Sequence, residues 1–171
     1  VSAFDPASDA DIAVVSAQLG RTARGVVGIG ARCRCGNPTV VVTAPRLDDG
    51  TPFPTLYYLT HPAATIAMSQ LEAAQLMVEM QDRLAEDEEL RAAYLAAHER
   101  YLAERESIEV VEPIRGISAG GMPTRVKCLH ALAAHALAAG PGVNPIGDWA
   151  LRESRWSPDV CECAEPGAAR A

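Results

Sequence analysis

The chain is expected to fold as a single α+β domain, a small and mostly antiparallel sheet covered by four or five helices that include a long helical pair. Three observations predict this. Short β-branched runs cluster before residue 60, and helical spacing of apolar side chains takes over after Pro62. With 171 residues and 49% apolar content, the chain can build one core but not two. The domain is expected over residues 1–155, with a flexible tail over 156–171.

The elements follow in order. In "SDADIAVVSAQLGR" Asp9 or Asp11 caps a short helix that Gly20 ends. "VVGIGARCRC" and "TVVVTA" read as two antiparallel strands around the turn "GNP". "PRLDDGTPFP" is irregular, because its prolines and Asp49-Gly50 force turns, and "TLYYLT" is a third strand. Ala67, Leu71, Ala74 and Val78 then mark one face of a helix that "AEDEE" interrupts near Glu86. Leu90, Tyr94, Ala97 and Tyr101 repeat that spacing. "SIEVVEPIRGISAGG" connects, with a short strand at "IEVV". A helix opens at Pro123 and closes at Gly140, and a shorter one lies in "PGVNPIGDWALRESRW".

Charge and composition exclude several classes. A net charge of −7 offers no broad cationic stripe to nucleic acid, so any anion site must be local. No stretch reaches the roughly 20 apolar residues of a membrane span. No leader pattern opens the chain, and a cytoplasmic location is expected. Five cysteines, an odd number, then point to metal or thiol chemistry rather than a disulfide framework.

The stretch "GISAGGMPTRVKCLHALAAHALAAG", residues 116–140, holds the only lysine, Lys127. One reading is an anion site, in which Ser118, Gly120 and Gly121 present amides at a helix start and Arg125, Lys127 and Arg46 supply charge. Its plain alternative is a helix entry that needs glycine, flanked by two solvated cations. A second reading is a metal centre. Cys33 and Cys35 share one face of a strand, Gly36 suits a tight turn behind them, and His61 ends the third strand. With Cys128 they make a Cys₃His set of the structural zinc type. Reduced core cysteines and a capping histidine are the plain alternative, and Cys161 and Cys163 in the tail are a competing pair. Within the helix, Cys128 and His130 would point roughly 200° apart. A third reading is nucleophilic catalysis by Cys128, assisted by Lys127 and with His135 or a distant histidine as base.

Several motifs together, "QLGR", "RCRCGNP", "PRLDDGTPFPTLYYLTHP", "AAYLAAHERYLAER" and "GISAGGMPTRVKCLHALAAHALA…GVNPIGD", run from about Val14 to about Trp149. In these the chain resembles a bacterial family catalogued as a domain of unknown function, family five-hundred-and-one. The resemblance implies a cytoplasmic bacterial protein, sometimes labelled with septum formation, and supplies no reaction. It also implies a cysteine in many relatives where this chain has His61, an exchange that a zinc site tolerates. The function expected is a zinc-stapled binding module that holds a small anion or an acidic partner. The alternatives are a Cys-dependent enzyme acting on a phosphorylated or acyl substrate, and a division-associated interaction protein without a site.

Overall fold

The computed structural model describes residues 4–165 and 167. Strands β1 (Val26–Arg32), β2 (Pro38–Thr43) and β3 (Tyr57–Leu59) form one sheet in the order β1-β2-β3, antiparallel throughout. Alternation along β2 sends Val40 and Val42 to one face and Val41 to the other. Both faces are covered, so β2 is buried along its whole length. On one side Val41 and Ile29 meet Val15 of α1 (Asp9–Leu19) in a small cluster. On the other, Val40, Val42, Tyr57 and Leu59 join the main core with Leu129, Leu132 and Ala133 of α5 (Leu129–Ala139). The close approach of α5 explains Gly30, where a Cβ would stand 3.2 Å from the Ala138 methyl.

Helix α1 is capped by Ser8 rather than by either aspartate. The Asp11 amide donates to Ser8 Oγ at 3.1 Å, and the Asp11 carboxylate accepts the Ser8 amide at 2.9 Å, a reciprocal capping box. Gly20 ends the helix at φ 68, as expected.

After Pro62 the expected single helix is two. α2 (Pro62–Ala73) and α3 (Leu76–Glu86) are separated at Gln75, whose φ of 60 is left-handed. The 19-residue α4 (Glu88–Glu106) begins where the Asp87 side chain accepts the Leu90 amide at 3.0 Å. With α6 (Pro145–Glu153) the described chain has six helices, one more than expected because of the break. "IEVV" forms no strand and leads into a 3₁₀ turn, Glu112–Ile114. None of these helices is long and apolar enough to cross a membrane.

At the end of α4 the guanidinium of Arg105 is 1% exposed and donates to three backbone carbonyls, Pro54, Ile114 and Ile117. It stitches the loop before β3 to the connector after α4.

Helix α5 starts at Leu129, not at Pro123. Residues 121–124 instead form a turn, and Gln81 of α3 donates to the Thr124 carbonyl and accepts the Val126 amide, both at 3.0 Å. Of the expected tail, Trp156 is buried in the main core. Beyond it the Arg34 amide donates to the Pro158 carbonyl at 3.1 Å, and Asn37 Nδ2 to the Glu165 carbonyl at 2.9 Å. Residues 1–3, and 166 and 168–171 of the expected tail, lie outside the described residues.

Candidate metal centre

The turn between β1 and β2 builds the first half of the site. Gly36 at φ 93 lets the chain reverse, with its amide donating to the Cys33 carbonyl and the Cys33 amide to the Asn37 carbonyl, both at 2.8 Å. Within this turn the Cys35 amide faces the Cys33 sulfur and the Asn37 amide faces the Cys35 sulfur. Amides two residues on from each thiol are donors that favour thiolate.

The turn is braced from behind by Arg32. Its guanidinium binds both carboxylate oxygens of Asp11, at 2.7 and 3.1 Å, and also Asp5 and the Gly36 carbonyl. Arg32 bonding, helped by Ser8, holds Asp11 well below the usual carboxylate range. α1, β1 and the cysteine turn are thereby locked together.

The second half comes from the segment after α6. Cys161 and Cys163 fold back so that their sulfurs join those of Cys33 and Cys35, all four within 4.8 Å of one another. Cys35 and Cys163 sulfurs are 3.6 Å apart. For Zn–S bonds of about 2.3 Å a tetrahedron has edges of about 3.8 Å, so the donors fit a four-thiolate ion. All five cysteines are free of disulfides. Burial alone would raise the Cys35 thiol, but the Asn37 and Gly167 amides and the neighbouring sulfurs bring it down to about 7. Burial pushes Cys163 up to about 12, its contact with Cys35 adding to the effect.

His61 touches the cluster without being one of the four. Its Nδ1 accepts the Ala64 amide at 3.5 Å, as N-cap of α2, so its proton sits on Nε2. Nε2 is 3.3 Å from the Cys163 sulfur, placed to donate to a thiolate. The ring is 1% exposed and lies 5.5 Å from Trp156. Burial lowers its pKa and keeps it neutral.

Of the expected ligand set, Cys33, Cys35 and His61 therefore meet, and Cys128 does not join them. The Cys128 sulfur lies with Glu72 and His130 in a second group, again within 4.8 Å. The reason is the late start of α5. Cys128 is its N-cap, with extended φ −147 and ψ 107, so the helical angle that would separate it from His130 does not apply. The competing pair, Cys161 and Cys163, is the one that joins Cys33 and Cys35, and buried Trp156 precedes it in the chain. The spacing "CRC…CEC" was the available signal.

The other expected residues are dispersed. His135 is fully buried, stacked 5.6 Å on Tyr57 and edge-on to Tyr101 at 5.1 Å, and burial lowers it to about 4. It is a core ring, and the imidazole beside Cys128 belongs to His130. Ser118 is buried against His98 Nδ1 at 2.8 Å. Gly120 and Gly121 form a turn at positive φ, with their carbonyls accepting the Lys127 and Arg125 amides. They precede α5 by eight residues or more, so their amides are not those of its first turn, although Gly120 packs against Leu132 there. Arg125 and Lys127 are exposed. Arg46 pairs with Glu109 at 2.7 Å and borders a separate cleft of about 420 Å³, to which none of residues 118–127 contributes. Arg21 and Arg24 share that cleft, over a floor that includes Val41 and Phe53.

A family model described as "Protein of unknown function (DUF501)" matches residues 29–152. The matched stretch includes Cys33, Cys35, His61 and Cys128 and stops short of Cys161 and Cys163. No curated protein and no solved structure matches the chain.

Proposed function

We propose, for a chain that belongs to the DUF501 family, a binding module stapled by a structural zinc ion on Cys33, Cys35, Cys161 and Cys163. The observation that carries this is the four-thiol cluster, two of whose sulfurs have amide donors in one tight turn. A closed four-ligand set leaves no position for substrate, which is the structural rather than the catalytic pattern. His61 supports the set from outside by donating to Cys163, the role that second-shell groups play around zinc thiolates. Elemental analysis of protein purified without a tag is expected to find one zinc per chain, lost in Cys35→Ser. Iron in place of zinc, or no metal, would refute the zinc reading.

The module's ligand is a small anion, and its site is the cleft bordered by Arg21, Arg24 and Arg46. A cleft of about 420 Å³ is in the range that small ligands fill. Asp48 and Asp49 also line the cleft, but Arg21 and Arg24 make no ion pair among the described residues, which leaves three guanidinium groups against two carboxylates around it. Phosphate, at ionic strength matched with chloride, is expected to raise the melting temperature by a few degrees, since saturation near ten times Kd contributes about 1.4 kcal/mol. The shift should vanish in Arg21→Ala/Arg24→Ala and persist in Lys127→Ala. The reverse pattern would return the site to residues 118–127.

A further inference from the structure

We propose that Cys128, His130 and Glu72 form a nucleophilic thiol site that exchanges with small disulfides arriving from solvent. It stands apart from the four-thiol cluster and does not depend on a metal there.

The hydrogen-bond partners of His130 carry the argument. Its Nε2 lies 3.2 Å from the Thr65 carbonyl and 3.1 Å from Ser69 Oγ, and a carbonyl can only accept, so Nε2 bears a proton. Its Nδ1 lies 3.2 Å from Glu72 Oε1, a second acceptor, and so bears a proton too. The ring is therefore an imidazolium clamped between α2 and α5. Glu72 is itself fixed, because the Leu129 amide donates to the same Oε1 at 2.8 Å. The Cys128 sulfur belongs to this group, within 4.8 Å of both partners. A thiol at a helix start beside a cation is the setting that favours thiolate. Burial opposes both charges and is outweighed: bonding to Cys128 first, and then Glu72, raises His130 to about 9, while His130 lowers Cys128.

The site is open enough for a small reactant. Glu72 and His130 are each about a quarter exposed, at 26% and 27%, Cys128 is half-buried, and the adjoining Lys127 is exposed. In the exchange the thiolate attacks one sulfur of the disulfide. The new bond joins Cys128 Sγ to that sulfur, the old S–S bond breaks, and the departing thiolate takes a proton from the His130 imidazolium. Cys128 is oxidised to a mixed disulfide and one equivalent of the small thiol is released.

The test uses the full chain at pH 7 with a dipyridyl disulfide, scoring the Cys128 peptide by mass spectrometry against the same residue in urea-unfolded protein. An ordinary thiol is only about 3% ionised at that pH, so full ionisation raises the thiolate about thirtyfold, less the lower nucleophilicity of a low-pKa sulfur. Native Cys128 is expected to react about tenfold faster than the unfolded reference. Its rate should rise less steeply between about pH 6 and 8 than that of the unfolded reference. His130→Gln should fall to the reference rate or below, and should then climb with pH as an ordinary thiol does. Glu72 and His130 are the titratable groups that face the sulfur, with Lys127 beside it. Glu72→Gln should lie between. If His130→Gln does not fold, the native-to-unfolded ratio and Glu72→Gln decide alone. Native Cys128 reacting more slowly than the unfolded reference would overturn the proposal. So would labelling that appears only after a chelator is added, which would make Cys128 a metal ligand.

Discussion

A high-affinity chelator is expected to lower the melting temperature of the purified protein by about 10 °C. A metal held at a thousand times its Kd contributes about 4 kcal/mol of stability, and in a chain of this size each kcal/mol moves the midpoint by about 2–4 °C. The loss should be local in origin. Without an ion, four sulfurs within 4.8 Å of one another have no common partner, and the segment carrying Cys161 and Cys163 is held by its carbonyl bonds to the Arg34 amide and the Asn37 side chain and by the His61 contact to Cys163. Cys35→Ser is expected to melt at the chelated temperature, with added chelator making no further difference. His61→Gln should cost less, since loss of a second-shell donor weakens metal affinity by about 10–100-fold. A midpoint unmoved by chelator would mean that the cluster holds no stabilising ion. Calorimetry with and without chelator on these three proteins makes the comparison.

The largest effect expected from a single side chain away from the cysteines is at Arg105. Methionine there would fill a similar volume but leave the carbonyls of Pro54 and Ile117 without their donor, and that of Ile114 with the Ile117 amide alone. Each buried acceptor left unmet costs about 1–3 kcal/mol, with some recovered by no longer burying a charge. Arg105→Met is therefore expected to lose about 3–5 kcal/mol, read as the fall in urea midpoint at unchanged slope. Arg105→Lys should recover only part of this, because an ammonium cannot span three carbonyls with the geometry of a guanidinium fork. A loss below about 0.5 kcal/mol in Arg105→Met, the range of ordinary surface changes, would show that water replaces the fork.

The sheet was legible because its signals are local. Runs of valine on either side of "GNP" define β1, β2 and their turn, and Gly20 ends α1 by its own backbone preference. Where the reading failed, the deciding contact was distant in sequence. No glycine or proline marks the break at Gln75, and α2 and α3 pack separately against α5 and α4. Pro123 and Thr124 look like a helix opening, yet they lie in a turn, and Gln81 offers Thr124 a donor and Val126 an acceptor outside any helix. The same displacement hid the Cys128–His130–Glu72 group, because helical geometry had separated two residues of which only one is helical. Half of the metal set was readable for the opposite reason. Cys33, Cys35 and Gly36 form a self-contained turn, and His61 caps the next helix. Their partners follow Trp156, whose burial no periodicity announces.

Cys35 and Cys163 are 128 positions apart in the chain, and this separation has a consequence during synthesis. At about 5–20 residues per second, the first two thiols exist for roughly 6–26 s before the second two are made. Through that interval the nascent chain carries half of a chelating site, able to bind an ion weakly or to be lost to oxidation. Full-strength capture must wait until nearly everything between has been translated. An ion taken up by the four sulfurs would close the molecule late, and would select chains whose intervening helices and sheet have already brought the two halves together.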